Sequence, residues 1–250
     1  LSTQEVVRTA QTMDGECLVI QGPPGTGKTY TASHIIAALL ADGKRVGVTS
    51  NGHKAVLNLL QACGKAVRDS GRSLVGVKVG DEGEGEFFDT NPNFVHVKSS
   101  GDALDAFSEG VIGGTAWVFS RDDWADQLDY LFVDEAGQVP LANVIAMSQS
   151  TRNLILLGDQ MQLEQPIQGS HPGDARLSAL QYALKDVANS AADDPVFHPL
   201  IPSTYGIFLG ESRRMHPSLC QFISESVYEG RLGSHVDCAN QKIVVPEKAK

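Results

Sequence analysis

The sequence lacks any apolar run close to the roughly 20 residues that a membrane-spanning helix needs. Its first five residues also lack the basic and apolar regions of a secretory signal peptide. Aromatic residues are few, at 6%, but 42% of the 250 residues are hydrophobic, which is enough for one sizeable core and the beginning of a second. We therefore expect a globular protein of the cytoplasm. Because residue 1 is Leu1 and not methionine, we also expect the chain to be part of a longer protein.

Paired cysteines are missing as well. The cysteines are Cys17, Cys63, Cys220 and Cys238, and they form no C-x-x-C pair. Neither a zinc ribbon nor a disulfide framework is therefore expected. His235 and Cys238 have a spacing that metal sites use, but no second ligand pair accompanies them, so we expect a turn or packing role. The sequence predicts reduced thiols and no structural metal.

Positive charge is scarce, with 20 Lys and Arg against 30 Asp and Glu and a net charge of −10. This balance argues against a nucleic-acid surface over the whole protein, because phosphates require local positive potential. Acidic residues are concentrated in 81–86, which we expect to be a solvated loop. The composition still allows a smaller basic or backbone-lined track.

Short runs rich in Val, Ile and Leu alternate with segments of helical period, a pattern typical of a parallel sheet covered on both faces. The predicted strands are 17–21, 45–50, 74–79, 94–98, 115–119, 131–133 and 154–157. The predicted amphipathic helices are 28–41, 53–68, 139–149 and 176–188. The sequence therefore predicts an α/β fold.

A domain boundary is predicted after the segment 189–195, whose composition is that of a flexible connection. We predict a first domain over 1–205 and the start of a second over 206–250, with a strand at 206–209 and a helix at 216–228. The last 45 residues are too few to complete an α/β domain, so we expect the second domain to be truncated.

A phosphate-binding loop is the strongest signal in the chain. It consists of Gly22, Pro23, Pro24, Gly25, Thr26, Gly27, Lys28 and Thr29, which match G-x-x-x-x-G-K-[ST] between a predicted strand and a predicted helix. Glycines let backbone N–H groups and a helix N-terminus face the phosphates. We expect Lys28 to contact the β- and γ-phosphates and Thr29 to bind Mg²⁺. The loop predicts binding of ATP with Mg²⁺.

Two acids, Asp134 and Glu135, follow the apolar strand 131–133. Because the carboxyl ends of parallel strands meet at one edge of a sheet, we expect both acids beside the phosphate loop. Asp134 would hold Mg²⁺ through water, and Glu135 would orient and deprotonate the attacking water. Together with the loop, this pair predicts hydrolysis of the nucleotide.

Three further blocks have the spacing of a known family. Residues 134–138 read D-E-A-x-Q, residues 158–166 read G-D-x-x-Q-L-x-x-P, and residues 211–217 end in R-M-H-P. They resemble motifs II, III and IV of superfamily 1 helicases, and residues 48–56 and 114–117 resemble motifs Ia and Ic. The chain resembles the branch with nonsense-mediated-decay and Dna2-type helicases, and most closely the motor of bacterial proteins that fuse a RecB-like nuclease to it. This resemblance covers nearly the whole chain and implies RecA-like domains in a monomeric motor.

The resemblance also implies individual roles around the nucleotide. Gln4 would read the adenine, Gln162 would sense the γ-phosphate and link it to the DNA or RNA track, and Arg214 would reach the γ-phosphate from the second domain. Tyr30 and Arg213 would contact the nucleotide as well. Arg213 departs from the family, whose members commonly have an aromatic residue there that packs on the base.

For nucleic acid, the resemblance to motif Ia points to four residues at the end of a strand and the start of a helix: Ser50, Asn51, His53 and Lys54. They suit contacts to the nucleic-acid backbone. A capped and solvated helix start remains the alternative for His53 and Lys54. Trp117 and Phe119 could stack on bases, but we expect them in the core because their segment reads as a buried strand.

The sequence thus predicts an ATP-driven motor that moves along single-stranded DNA or RNA, with 5′ to 3′ polarity implied by the resemblance. Motifs V and VI of the family are absent from these residues, so we expect residues 1–250 to bind ATP and Mg²⁺, hydrolyse ATP slowly and not unwind duplexes. The alternatives are a non-catalytic nucleotide-binding switch and a ring-forming, protein-remodelling ATPase of another phosphate-loop family.

Overall fold

The computed structural model describes residues 2–81, 85–162, 172–185 and 200–242. Its α-helices are α1 (Thr3–Gln11), α2 (Lys28–Ala41), α3 (His53–Asp69), α4 (Gly85–Thr90), α5 (Ala103–Ala106), α6 (Ala116–Phe119), α7 (Leu141–Ser148), α8 (Ala179–Ala183) and α9 (Pro217–Val227). Its strands are β1 (Cys17–Gln21), β2 (Val46–Thr49), β3 (Gly76–Val79), β4 (Phe94–Val97), β5 (Val111–Gly113), β6 (Leu128–Val133), β7 (Thr151–Gly158), β8 (Gly206–Phe208), β9 (Glu211–Ser212) and β10 (Gly233–Ser234). Short 3-10 helices lie at Asp122–Trp124, Gly173–Arg176 and Val236–Asn240.

One parallel sheet of eight strands has the order β4-β3-β5-β2-β6-β7-β1-β8. A separate parallel pair joins β9 to β10. Parallel order requires crossover connections, and helices supply most of them here. The carboxyl ends of β6, β7 and β1 therefore lie side by side, with those of β2 and β5 next along the same edge. This is the α/β, RecA-like architecture that the sequence predicts.

Two apolar cores lie on opposite faces of the sheet. Alternate side chains of a strand separate between them: Phe132 packs with α1, α2 and α3, whereas its neighbours Leu131 and Val133 pack with α6, α7 and α8. Such alternation follows from the two-residue period of a strand. Because both faces are covered, the strands read as nearly continuous apolar runs in the sequence.

The strand predicted at 115–119 is wrong. The structure places strand β5 earlier, at Val111–Gly113, and makes Ala116–Phe119 a single helical turn preceded by Thr115 in an extended conformation. A strand would place residues 117 and 119 on the same face, whereas a helical turn points them in nearly opposite directions, so Phe119 is fully buried while Trp117 is 81% exposed. The expectation of core packing is confirmed for Phe119 and wrong for Trp117.

The strand at 206–208 does not open a second sheet. It pairs in parallel with β1, joining Ile207 to Ile20 and Phe208 to Gln21. The sequence reading that placed it in a separate unit is corrected on this point, because its hydrogen-bond partner is the strand before the phosphate loop. The helix predicted from 176 is described as a 3-10 turn, Gly173–Arg176, followed by α8, and residues 186–199 lie outside the described residues. Among the described helices, none has the length and apolarity needed to cross a membrane.

Candidate nucleotide and nucleic-acid sites

The phosphate loop turns from β1 into α2 with two glycines in left-handed conformations. Gly25 has φ +82° and Gly27, which precedes the helix, has φ +85°. At Gly22 an added Cβ would lie 2.5 Å from Thr26 Oγ1, so a side chain there would displace the loop. The loop therefore folds as a backbone nest at the N-terminus of a 14-residue helix, which is an arrangement that binds phosphate.

The side chains of Lys28 and Thr26 are held in place by hydrogen bonds within the loop. Lys28 Nζ donates a hydrogen bond to the carbonyl of Gly22 at 2.7 Å, and Thr26 Oγ1 donates one to the carbonyl of Pro23 at 2.7 Å. Thr29, at the second position of α2, is exposed beside them. The ammonium and the Thr29 hydroxyl are thus at the mouth of the nest.

The two acids lie just beyond β6, next to the loop. Asp134 is buried, with 8% exposure, and burial raises its pKa to about 6, helped by the negative charge of Glu135. The backbone N–H of Glu135 and the charge of Lys28 oppose this rise. A buried carboxylate beside a second acid is stabilised by a bound cation, so the donor set fits Mg²⁺.

Glu135 has an unusual backbone conformation, with φ +53°. Left-handed conformations are uncommon for residues with a side chain and cost about 1–2 kcal/mol. Its N–H donates to Asp134 Oδ1 at 2.9 Å, which fixes the turn after the strand. Glu135 also lines the recess above the phosphate loop, so the strained turn directs a carboxylate toward the place where phosphates would bind.

A recess of about 350 Å³ brings the predicted nucleotide residues together. It is lined by Pro23, Pro24, Gly25, Thr26, Gly27, Lys28, Thr29, Asp134, Glu135, Gln162, Arg213 and Arg214. Four sequence segments that are far apart in the chain thus converge on one site.

Residues 212–228, which we call the arginine segment, begin directly on the phosphate loop. The N–H of Arg213 donates to the carbonyl of Gly25 at 2.8 Å, and Ser212 Oγ donates to the carbonyl of Pro24 at 3.3 Å. An added Cβ at Gly25 would lie 2.4 Å from Arg214 Cβ. Ser212, which the sequence reading missed, is fully buried and has only its place in the arginine motif as a sequence signal.

Of the residues predicted to contact the nucleotide base, Gln4 and Tyr30 lie to one side of the phosphate recess, whereas Arg213 lines it. Gln4 lines a separate recess with Tyr30 and His34, and the rings of Tyr30 and His34 lie 4.0 Å apart. Tyr30 also faces a third recess that it shares with Arg213. Arg213 pairs with Glu211 at 3.4 Å. Gln4 is thus near the Tyr30 end of the site and does not line the phosphate recess.

A different recess, of about 400 Å³, opens where β2, β5 and β6 end. Its lining includes Ser50, Asn51, Trp117, Gln138 and Arg176. The hydroxyl of Ser50 is buried and has no hydrogen-bond partner among the described residues. An exposed indole beside an unsatisfied hydroxyl suits a ligand that has both a flat apolar face and polar edges.

His53 and Lys54 do not line this recess. His53 packs on Gly80, where an added Cβ would lie 2.3 Å from His53 Cε1, and its Nδ1 lies 3.3 Å from Lys78 Nζ. Burial, followed by the charge of Lys78, lowers the pKa of His53. Lys54 is exposed at the start of α3. Of the four predicted nucleic-acid residues, the structure brings Ser50 and Asn51 together in the recess.

The segment 134–138 joins the two recesses. Its first two residues line the phosphate recess, and Gly137 and Gln138 line the other. Its middle packs against the end of β7, since Ala136 N–H donates to the carbonyl of Leu157 at 2.8 Å. Gly137 approaches so closely that an added Cβ would lie 2.7 Å from the carbonyl oxygen of Asp159.

Known proteins with a similar sequence or fold were found by three kinds of comparison. A family model described as an AAA domain matches residues 2–188. The DNA replication ATP-dependent helicase/nuclease dna2 of Schizosaccharomyces pombe is 28% identical over 237 residues, 92% of this chain and 16% of that protein. The corresponding protein of Saccharomyces cerevisiae is 29% identical over 170 residues, 66% of this chain and 11% of that protein. The chain therefore spans less than a fifth of these two relatives.

Among solved structures, the fold is similar to that of the arterivirus nonstructural protein 10 helicase with DNA. The TM-score is 0.48 at 12% sequence identity, and the match covers 93% of this chain and 44% of that one.

Proposed function

Because the chain belongs to the AAA domain family and is similar to Dna2-type helicases, we propose that it is the ATPase motor of a helicase that moves along single-stranded nucleic acid. The observation that supports this most is the phosphate recess, in which the loop, both acids, Gln162 and Arg214 meet. A site of this kind is typical of ATPases, which are hydrolases. Movement along a single strand, the choice of DNA or RNA, and the 5′ to 3′ polarity are our proposals.

We assign a role in ATP hydrolysis to each of the main residues of the recess. Lys28 and Arg214 would neutralise charge on the phosphoryl oxygens, and Glu135 would accept a proton from the attacking water. Thr29 and Asp134 would hold Mg²⁺, which when bound supplies positive charge to the β- and γ-phosphates. Gln162 would respond to the γ-phosphate.

We propose the recess beside Trp117 as the place where an unpaired base of the strand binds. The indole would stack on the base, and Ser50 and Asn51 would contact the sugar and phosphate. Stacking suits single strands because an unpaired base exposes its face. His53 is held against Lys78, so we assign Lys54 alone, of those two, to outer contacts with phosphate.

Several finer points remain proposals. They are a DNA or RNA track, a monomeric motor, a RecB-like nuclease in the same protein and a cytoplasmic location. The division into a domain over 1–205 and the start of another is also kept as a proposal, with the boundary moved beyond β8 because that strand belongs to the first sheet.

ATP turnover tests the motor. We expect single-stranded DNA or RNA to stimulate hydrolysis, and Glu135→Gln to lower turnover at least about 100-fold while ATP binding is retained. Since we expect slow hydrolysis by residues 1–250, the same variant should be compared in a longer protein that includes them. Tight ATP binding without stimulated turnover in either form would favour the non-catalytic switch.

The two tryptophans allow the strand site to be tested separately. Trp117 is 81% exposed and Trp124 is fully buried, so quenching of the exposed emission by an oligonucleotide reports stacking on Trp117. We expect Trp117→Ala to weaken strand binding about 5- to 100-fold, as the loss of one stacking contact would. Trp117→Phe should retain most of the affinity. An unchanged affinity in Trp117→Ala would contradict this assignment.

A further inference from the structure

Asp159, which follows β7, is a buried carboxylate with donors on both oxygens. Its exposure is 3%. Oδ1 accepts hydrogen bonds from Gln21 Nε2 at 3.3 Å and from the N–H of Met161 at 3.2 Å. Oδ2 accepts the short bond, 2.7 Å, from the hydroxyl of Tyr228, and a longer one, 3.5 Å, from Gln162 Nε2. A carboxylate as buried as this one requires such donors, so its partners are fixed relative to one another.

Tyr228 comes from a different part of the chain, 69 residues later, at the end of α9. It is buried in a small apolar cluster with Leu200, Cys220 and Leu232. Burial, followed by the hydrogen bond to Asp159, raises the pKa of the phenol, so the hydroxyl stays protonated and donates. The hydroxyl of Tyr228 is thus a permanent donor to Asp159.

This bond attaches the far end of the arginine segment. Its near end is attached to the phosphate loop by Arg213 and Ser212, and its far end is attached to Asp159 by Tyr228. Gln162 bonds to the same carboxylate oxygen that Tyr228 does. Gln162 and Arg214 face one recess, so both residues that would meet the γ-phosphate are connected through Asp159.

Asp159 also touches the segment that lines the strand recess. Its carbonyl oxygen lies so close to Gly137 that no Cβ would fit there, and Gly137 lines the recess beside Trp117. A displacement of Gly137 by a bound strand would therefore displace Asp159, with its side-chain partners.

We propose that Tyr228 is a positioning residue that, through Asp159, couples occupancy of the strand recess to the binding of ATP. The inference depends on the proposed function, because it requires both ligands. A strand would shift Asp159, and the rigid hydrogen bond to Tyr228 would move α9 and Arg214 together with Gln162. Coupling between two sites is reciprocal, so it can be measured from the affinity for either ligand.

The test uses equilibrium binding and needs no turnover. The dissociation constant of a non-hydrolysable ATP analogue with Mg²⁺ is measured for the 250-residue chain with and without saturating oligothymidylate, and again with oligouridylate. For each oligonucleotide, the dissociation constant without the strand divided by the constant with it is the coupling factor, and we expect it to be about 5 or more in the wild type. Tyr228→Phe removes the hydroxyl and keeps the ring.

We expect Tyr228→Phe to bring the coupling factor within about twofold of one, while the affinity for each ligand alone changes less than about threefold. Tyr205→Phe, at a half-exposed tyrosine outside this network, is the matched control and should keep the wild-type factor. If the role of Tyr228 were merely structural, Tyr228→Phe would lower the stability or both single-ligand affinities and would leave the coupling factor unchanged.

Two further outcomes would distinguish a failure of this inference from a failure of the proposed function. A wild-type coupling factor that Tyr228→Phe retains would overturn the role of Tyr228 and leave the motor function standing. A wild-type chain that binds ATP but no strand of either kind would overturn this inference and the proposed strand track together.

Discussion

Glu135 shows how a single residue at the site combines chemistry with backbone strain. It has φ +53° at the end of β6, and it carries the carboxylate that would activate water. Strained conformations persist where the surrounding structure enforces them, and here the bond from Glu135 N–H to Asp134 does so. Stability and function therefore have opposite requirements at this position.

Two substitutions at Glu135 should separate those requirements. Both Glu135→Gly and Glu135→Ala remove the carboxylate and abolish turnover, but glycine adopts a positive φ freely. We expect the glycine variant to be more stable than the alanine variant by about 1 kcal/mol, measured by urea unfolding. Ala146→Gly, on the exposed side of α7, should show the opposite order and lose about 1 kcal/mol. Equal stabilities at position 135 would contradict the strained conformation.

His53 should make the stability of the fold depend on pH. Burial and the charge of Lys78 lower its pKa below the unfolded value, so neutral His53 stabilises the native state above about pH 6.5. This contribution is lost as the pH falls through the lowered pKa, because protonation would place a second cation beside Lys78. We expect the free energy of unfolding of wild type, minus that of His53→Gln, to decrease from pH 7.5 to pH 5. A constant difference would be inconsistent with this environment.

Single residues were predictable where their chemistry is tied to a local pattern. The loop, Asp134 and Glu135 follow from short motifs next to apolar strands, and the structure brings them together. The exposure of Trp117 was not predictable, because one turn of helix and a short strand have similar composition over four residues. The hydroxyl of Tyr228 and the carboxylate of Asp159 meet across 69 residues, and no local pattern reports such a contact.

Among the elements, the phosphate loop and the arginine segment are in close contact, with no room for a side chain at Gly25. Gly25 has a positive φ, and an added Cβ would overlap Arg214 Cβ at 2.4 Å. Gly43 has a similar φ of +71°, but nothing lies within 4 Å of its added Cβ. The two glycines therefore differ in what a side chain would meet and not in backbone conformation.

Gly25→Ala and Gly43→Ala form a matched pair. Each should lose about 1 kcal/mol from the strained φ, and Gly25→Ala should lose roughly 1–3 kcal/mol more from the overlap. Only Gly25→Ala should weaken ATP binding, because it displaces the arginines from the recess. Urea unfolding and ATP titration measure the two effects. Equal losses in both variants would mean that the arginine segment does not lie on the loop.

The strands and helices before residue 160 were largely predictable, because buried parallel strands give continuous apolar runs and the flanking helices are amphipathic. The place of β8 was not. Its three residues would suit the edge of any parallel sheet, and only its pairing with β1 assigns it to this one. The domain boundary predicted at 205 followed from that missing information.

For the whole molecule, the net charge of −10 restricts how a strand can bind. Arg176 lines the candidate strand recess and Lys54 lies in the first turn of the neighbouring helix, so we expect about two contacts between a cation and a phosphate. Apolar stacking would then supply much of the affinity.

The resemblance to superfamily 1, Dna2-type helicases is confirmed by the family and sequence matches, whereas fusion to a RecB-like nuclease stays a prediction.

Strand binding should consequently depend only weakly on salt. With about two phosphates neutralised, the logarithm of the association constant should fall against the logarithm of salt concentration with a slope between about −1 and −2. Fluorescence titrations between about 50 and 200 mM potassium chloride give this slope directly. A slope steeper than about −4 would point to a basic track elsewhere on the chain.

The pairing of β8 with β1 also restricts how many residues can lie between β8 and the arginines. From Phe208, opposite Gln21, to Arg213, bonded to Gly25, the two segments run alongside each other almost residue for residue. Deleting one residue in this stretch would move the arginines by about 3.3 Å, the rise of one strand residue, and turn their side chains to the other face. Homologous proteins should therefore accept substitutions between these points far more readily than insertions or deletions.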